Sequence, residues 1–302
     1  MAQHQFGNDA WTEGKLDALE KYLKAYRQIF DRNEKARYFK TLYVDAFAGS
    51  GSRIEGRKEA PDTQLGIFQD EEQPDMGDDY RRGSVRRALD LDSKFDEYIF
   101  VDNNPDHVAE LKAMIGQDYP ALQGRCKVWK ADGCQVMHEL CTYLKDWSKW
   151  RAVAFLDPYG MNVEWDLLRK IAQTEAIDLW LLWPLGMGVN RLMKRDGKPN
   201  QNFANKLTRV FGNQDWEKAF YRRPATLDMF SEAPANEIKD ADWDLIGNFF
   251  LERLRTIFTG VAPRTKVLYN SRGNPMYLLC FAAGNPKGAK PAIDIADHLM
   301  PT

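Results

Sequence analysis

Five short apolar runs, with helical periodicity between them, constrain this chain more tightly than any other feature. The runs at 41–44, 98–101, 127–129, 152–156 and 179–183 read as strands, and helical patterns fill 84–91, 106–115, 136–147 and 163–172. Strands that are apolar nearly throughout, rather than at alternate positions, must be covered on both faces. The pattern therefore predicts an α/β protein with a mostly parallel sheet between two helical layers. Ahead of the first strand, Leu16, Leu19, Leu23, Tyr26, Ile29 and Phe30 recur every three or four positions and predict an amphipathic helix over 15–30.

Beyond the fifth strand the rhythm changes. A helical pattern runs through Trp243, Ile246, Phe249, Phe250, Leu254, Ile257 and Phe258, followed by strand-like runs at 265–269 and 276–281. Ser271-Arg272-Gly273-Asn274-Pro275 joins these two runs as a hairpin turn, predicting an antiparallel edge on the parallel sheet. One domain over 1–302 accommodates the whole pattern, with two insertions. The first, 53–82, contains eight acids and no Lys or Arg between 59 and 79 and reads as a solvated acidic loop. The second, 187–240, is helical and basic. Its segment 191–223 holds nine Lys or Arg against three acids, interleaved with Phe203, Phe211, Trp216, Phe220 and Tyr221. Two readings stand side by side for it: a face that binds a polyanion such as nucleic acid, or a helical insertion whose aromatics pack inward and whose charges are solvated.

Composition removes several classes of function. With 302 residues, 44% hydrophobic and a formal charge of −2, the chain can bury a sizeable core, and its overall charge gives no reason to expect a polyanionic partner. The four cysteines form no C-x-x-C pair and the four histidines no H-x-x-x-H, so neither a zinc nor an iron–sulfur centre is expected. Neither a secretory leader nor a membrane span is apparent, and unpaired thiols fit a cytoplasmic protein with no membrane partner.

The chemistry concentrates where strands end. In an open α/β sheet, ligands bind outside the carboxyl ends of the strands. The first strand runs into Asp45-Ala46-Phe47-Ala48-Gly49-Ser50-Gly51, where glycines allow a small molecule close to the backbone. The second ends at Asp102-Asn103-Asn104-Pro105, a carboxylate placed to accept from both hydroxyls of a ribose, or alternatively a helix cap. Asp132-Gly133 closes the third, placed to accept from an adenine amino group, and Asp157-Pro158-Tyr159-Gly160 closes the fourth. Any one such acid would be unremarkable, but four on consecutive strands form a set. Position 54 is Ile rather than Gly, and there is no G-x-x-x-x-G-K-S/T, so a dinucleotide or ATP phosphate cradle is disfavoured.

These residues resemble the class I S-adenosylmethionine-dependent methyltransferases. DAFAGSG is similar to the glycine-rich motif of the nucleobase amino-methyltransferases. Asp157-Pro158-Tyr159-Gly160 is similar to their D/N-P-P-Y/F motif and to the D-P-F/Y-G of tRNA guanine-N2 dimethyltransferases, with a single proline before the tyrosine. More closely, the run from the 15–30 helix through DAFAGSG and FLDPYG to PMYLLCFAAGNP resembles the three-Cys-motif partner protein family, from about residue 15 to 299.

The resemblance implies a Rossmann-like fold with a mostly parallel seven-stranded sheet and an antiparallel edge hairpin. It implies S-adenosylmethionine held by Asp45, Ala46, Phe47, Gly49, Gly51, Asp102, Asn103, Asp132 and Gly133, with Asp157, Pro158 and Tyr159 at the methyl acceptor. It also implies a genetic neighbour, an iron–sulfur protein of radical S-adenosylmethionine type. The activity implied is methyl transfer to an exocyclic nucleobase amine in nucleic acid. The alternatives are a small-molecule or protein acceptor, or a non-catalytic partner of the iron–sulfur protein.

Overall fold

A computed structural model of the chain describes residues 9–50, 83–158, 160–193, 198–222, 238–270 and 272–300. In chain order its first half comprises α1 (Asp9–Arg32), β1 (Lys40–Asp45), α2 (Ser84–Leu89), β2 (Glu97–Asp102), α3 (Pro105–Asp118), β3 (Cys126–Lys130), α4 (Gly133–Glu139), β4 (Trp150–Leu156), α5 (Trp165–Gln173) and β5 (Ile177–Trp183). The second half adds α6 (Gln201–Phe211), α7 (Asp215–Phe220), β6 (Tyr221–Arg222), β7 (Ile238–Lys239), α8 (Trp243–Arg255), β8 (Gly260–Val261), β9 (Lys266–Tyr269), β10 (Pro275–Ala283) and α9 (Ala289–Leu299).

The sheet order is β3-β2-β1-β4-β5-β10-β8, with β9 also on β10. Strands β1 to β5 are mutually parallel, and β10 runs antiparallel to β5, pairing Leu278 with Trp183 and Ala282 with Leu179. Strands β8 and β9 lie on the same side of β10, at Val261 opposite Ala282 and Lys266 opposite Leu279. Eight segments thus fill seven positions, because one edge strand is broken. Pro263 has no amide to donate, and the Arg264 amide turns away to Asp297 Oδ1 at 3.0 Å. The protein is therefore a Rossmann-like α/β fold with an antiparallel edge hairpin, as the apolar pattern and the resemblance together imply.

Continuous apolar strands supply both faces of this sheet. In β5, Leu179, Leu181 and Trp183 join the layer formed with α4, α5 and α8, while Trp180 and Leu182 join the layer formed with α1, α2, α3 and α9. The chain begins its sheet at β1, winds outward to β3, then crosses back to β4 on the other side. That reversal opens a crevice at the carboxyl ends of β1 and β4.

Two local outcomes differ from the sequence reading, and one expectation falls outside the described residues. The helix expected over 136–147 begins at Gly133 and widens to a π-helical turn, Leu140–Leu144, with Trp147 Nε1 donating to the Leu140 carbonyl at 3.1 Å. Helix α9 was not anticipated: its buried face is only Ala289, Ala292 and Ala296, and Gly288 before it caps nothing with a side chain. The acidic segment 53–82 lies outside the described residues. Among the described residues, no helix is long and apolar enough to cross a membrane, and no cluster of three or more His, Cys, Asp or Glu could hold a metal ion.

Candidate functional site

The loop after β1 is strapped into the crevice by its own backbone. Ala46 donates to the Phe155 carbonyl of β4 at 3.2 Å, and Ala48 to the Val101 carbonyl of β2 at 2.9 Å. Gly49 then takes a left-handed conformation, φ +60°, in which a Cβ would meet nothing within 4 Å. Glycine is needed there for the backbone angle, and the backbone faces open space.

Asp102 is the hub of this arrangement. Its Oδ2 accepts from the Gly49 amide at 3.0 Å and its Oδ1 from the Asn104 amide at 2.7 Å, with His107 Nδ1 3.3 Å from the same Oδ1. The helix cap before Pro105 is Asn104, which accepts from the Asp106 amide at 2.9 Å, so Asp102 is not the capping residue. Asn103 sits in the turn between them.

The third strand joins at two points. Ala131 donates to the Asp102 carbonyl at 3.1 Å, and a Cβ on Gly133 would collide with the Ala46 carbonyl. Only glycine lets α4 begin against the β1 loop. Asp132 caps α4, accepting from the Gln135 amide at 2.8 Å.

Asp45 is fully buried. Its Oδ2 accepts from Ser84 Oγ at 2.5 Å and its Oδ1 from the Phe47 amide at 3.2 Å, so it organises the loop from within. Burial pushes its carboxyl up to about 7, against those two hydrogen bonds, and the charges of Asp157 and Asp102 add to the rise. Asp102 and Asp157 therefore both lie within electrostatic reach of Asp45.

Asp157, at the tip of β4, forms an ion pair through Oδ2 with Lys15 Nζ of α1 at 2.5 Å. Its side chain is 27% exposed, whereas Lys15 is buried. Pro158 is buried, and Gly160 closes the turn at φ +69°. Gly51 and Tyr159 lie outside the described residues.

The loops that carry Asp45, Asp102 and Asp132 thus contact one another, and the charge of Asp157 reaches Asp45. Sequence reasoning missed two members of the set, Ser84 and Lys15. Lys15 had a visible signal, because it stands four, seven and eleven residues before Leu19, Tyr22 and Tyr26 and so lies in phase with the buried stripe of α1. A lysine there calls for a buried counter-charge.

Other candidates resolve into packing. Phe211, Trp216 and Phe220 are fully buried and serve the core, whereas Phe203 is half-buried. Three of that segment's cations are paired: Lys198 with Glu217 at 3.0 Å, Arg209 with Glu164 at 3.3 Å and Arg222 with Asp240 at 2.7 Å. Trp183, at the end of β5, stacks on Phe250 at 4.2 Å between ring centres and is 1% exposed. Burial pushes the thiols of Cys126, Cys134 and Cys141 up to about 11, 12 and 12, and that of Cys280 further, which removes them as nucleophiles at neutral pH.

Strand order and crevice together define the class as a Rossmann-like α/β protein with an acid at four consecutive strand tips. Among solved structures the chain is similar to a Legionella pneumophila protein of the DUF519 family. Identity is 13% and the TM-score 0.48, over 97% of this chain and 92% of that one. It is also similar to an S-adenosylmethionine-dependent methyltransferase from Clostridium acetobutylicum, with 9% identity and a TM-score of 0.36, over 90% of this chain and 92% of that one. No family model and no curated protein matches the sequence.

Proposed function

We propose that this chain is an S-adenosylmethionine-dependent methyltransferase acting on an exocyclic amine of a nucleobase. The observation that carries the reading is Asp102 gripping the Gly49 backbone at 3.0 Å, beside Asp132 and Asp157, with open space in front of that glycine. The donor set fits the cofactor. Asp102 and Asn103 suit a ribose, Asp132 and Gly133 the edge of an adenine, and the Ala46–Gly49 backbone the methionine portion. The bound cofactor supplies a methyl group already activated on a sulfonium sulfur.

What the chain adds is orientation. Asp157 and the Pro158 carbonyl accept the hydrogens of the acceptor amine and turn its lone pair toward the methyl position, and Tyr159 stacks on the ring that carries it. Segment 191–223 grips the nucleic-acid backbone. The sequence motifs extend this reading to membership of the three-Cys-motif partner proteins and to an iron–sulfur protein as partner. A smaller acceptor is the second reading, favoured by the inward-facing aromatics and paired cations of 191–223.

Calorimetry with S-adenosylhomocysteine, followed by methyl-label transfer to total RNA and genomic DNA, tests the proposal. Wild type should bind and Asp102→Ala should lose at least tenfold in affinity. Label in nucleic acid whose transfer weakens steeply with salt supports the first acceptor class. Binding without label there supports the second. Absence of binding refutes the enzymatic reading and leaves the chain a protein partner.

A further inference from the structure

Helix α1 contributes a buried cation to a site otherwise built from strand tips. Lys15 is 6% exposed, in the same stripe as Leu19, Tyr22 and Tyr26, which pack on the sheet. An ammonium in that position carries a desolvation cost that an apolar residue would avoid. The helix is tied down along its length. Arg87 pairs with Asp17 and with Glu20, and Tyr22 Oη donates to Asp178 Oδ2 at 2.8 Å at the foot of β5. Near its start, the flexible end of the Lys266 side chain of β9 packs against Gly14. The helix is therefore held in one register, and that register sets Lys15 Nζ 2.5 Å from Asp157 Oδ2.

We infer that Lys15 is a positioning residue for the acceptor: by holding Oδ2 it fixes the Asp157 carboxylate in one rotamer and leaves Oδ1 to the incoming amine. The inference rests on the methyltransferase reading and deepens it. Asp157 stands at the tip of β4 within reach of the charge of the buried Asp45, so without a cation its carboxylate would turn toward water. Lys15 opposes that rotation. It makes the N-terminal helix part of the acceptor site as well as a cover for the sheet.

The test compares wild type, Lys15→Met, which keeps the stem and removes the ammonium, and Lys15→Arg, which restores a cation. Three readouts are taken: affinity for S-adenosylhomocysteine, methyl-label transfer to total RNA at saturating donor, and the side-chain carboxyl carbon resonance of Asp157, assigned by its loss in Asp157→Asn. In Lys15→Met the label-transfer rate should fall at least tenfold while affinity stays within threefold, and the Asp157 resonance should move or broaden. Lys15→Arg should recover the resonance and a substantial part of the rate. An unmoved resonance in Lys15→Met overturns the inference whether or not RNA accepts label. So does a loss of affinity that matches the loss of rate, which would place Lys15 on the cofactor. Failure of wild type to bind S-adenosylhomocysteine instead removes the methyltransferase reading, and the two failures are told apart by that first measurement.

Discussion

Asp45 carries the most quantitative consequence of this site. Its carboxyl is fully buried and raised from 3.8 to about 7. Between those values the folded protein still holds a proton that the unfolded chain has released, so unfolding free energy falls as pH rises through the interval. The stabilisation is complete below about pH 4 and is lost once pH passes about 7. Each pH step in the window is worth about 1.4 kcal/mol, and the whole interval amounts to about 4 kcal/mol. Asp45→Asn removes the titration while keeping an acceptor for the Phe47 amide. Urea unfolding of both proteins from pH 4 to 8.5 reads the difference directly. The buried Asp178, raised to about 6, titrates in both proteins and cancels in the comparison. The variant should gain on wild type by about 4 kcal/mol between pH 4 and 7.5 and hold that gain above it. A difference that stays flat across the range would refute the argument that Asp45 is an uncompensated buried acid.

Gly133→Ala drives a methyl group into the Ala46 carbonyl and should cost about 2 kcal/mol or more by thermal or urea unfolding. It should also weaken S-adenosylhomocysteine binding, because the β1 loop has to shift, and unchanged stability would deny the close approach. Tyr22→Phe removes the hydroxyl that donates to Asp178 at 2.8 Å and should cost about 1–3 kcal/mol at pH 7.5. That cost should shrink at pH 4.5, where the buried Asp178 carboxyl is protonated, so a pH-independent cost would contradict it.

The five parallel strands and most of the helices between them were legible because apolar runs and a 3.6-residue period are local properties. The strand-tip positions of Asp45, Asp102, Asp132 and Asp157 were legible for the same reason, since such an acid needs only the strand's end to be read. What escaped depends on distant partners. The place of Lys15 in the buried stripe of α1 could be read, but its partner Asp157, 142 residues away, could not. Helix α9 hides because an alanine face gives no strong periodic signal, yet it suffices where Gly260 lets Ile293 approach. Spacing alone does not say which aromatics of 191–223 face inward, and the structure buries Phe211, Trp216 and Phe220. Asn104 rather than Asp102 caps α3, a choice between neighbours that depends on backbone angles.

The interruption between β8 and β9 bears on how molecules of this protein meet one another. With Pro263 lacking a donor and the Arg264 amide committed to Asp297, the rim beyond β10 offers a neighbouring chain no long ladder of free amides and carbonyls. Strand-by-strand growth from that rim is interrupted after a few residues, which guards a highly apolar sheet against sticking to its own copies at high concentration.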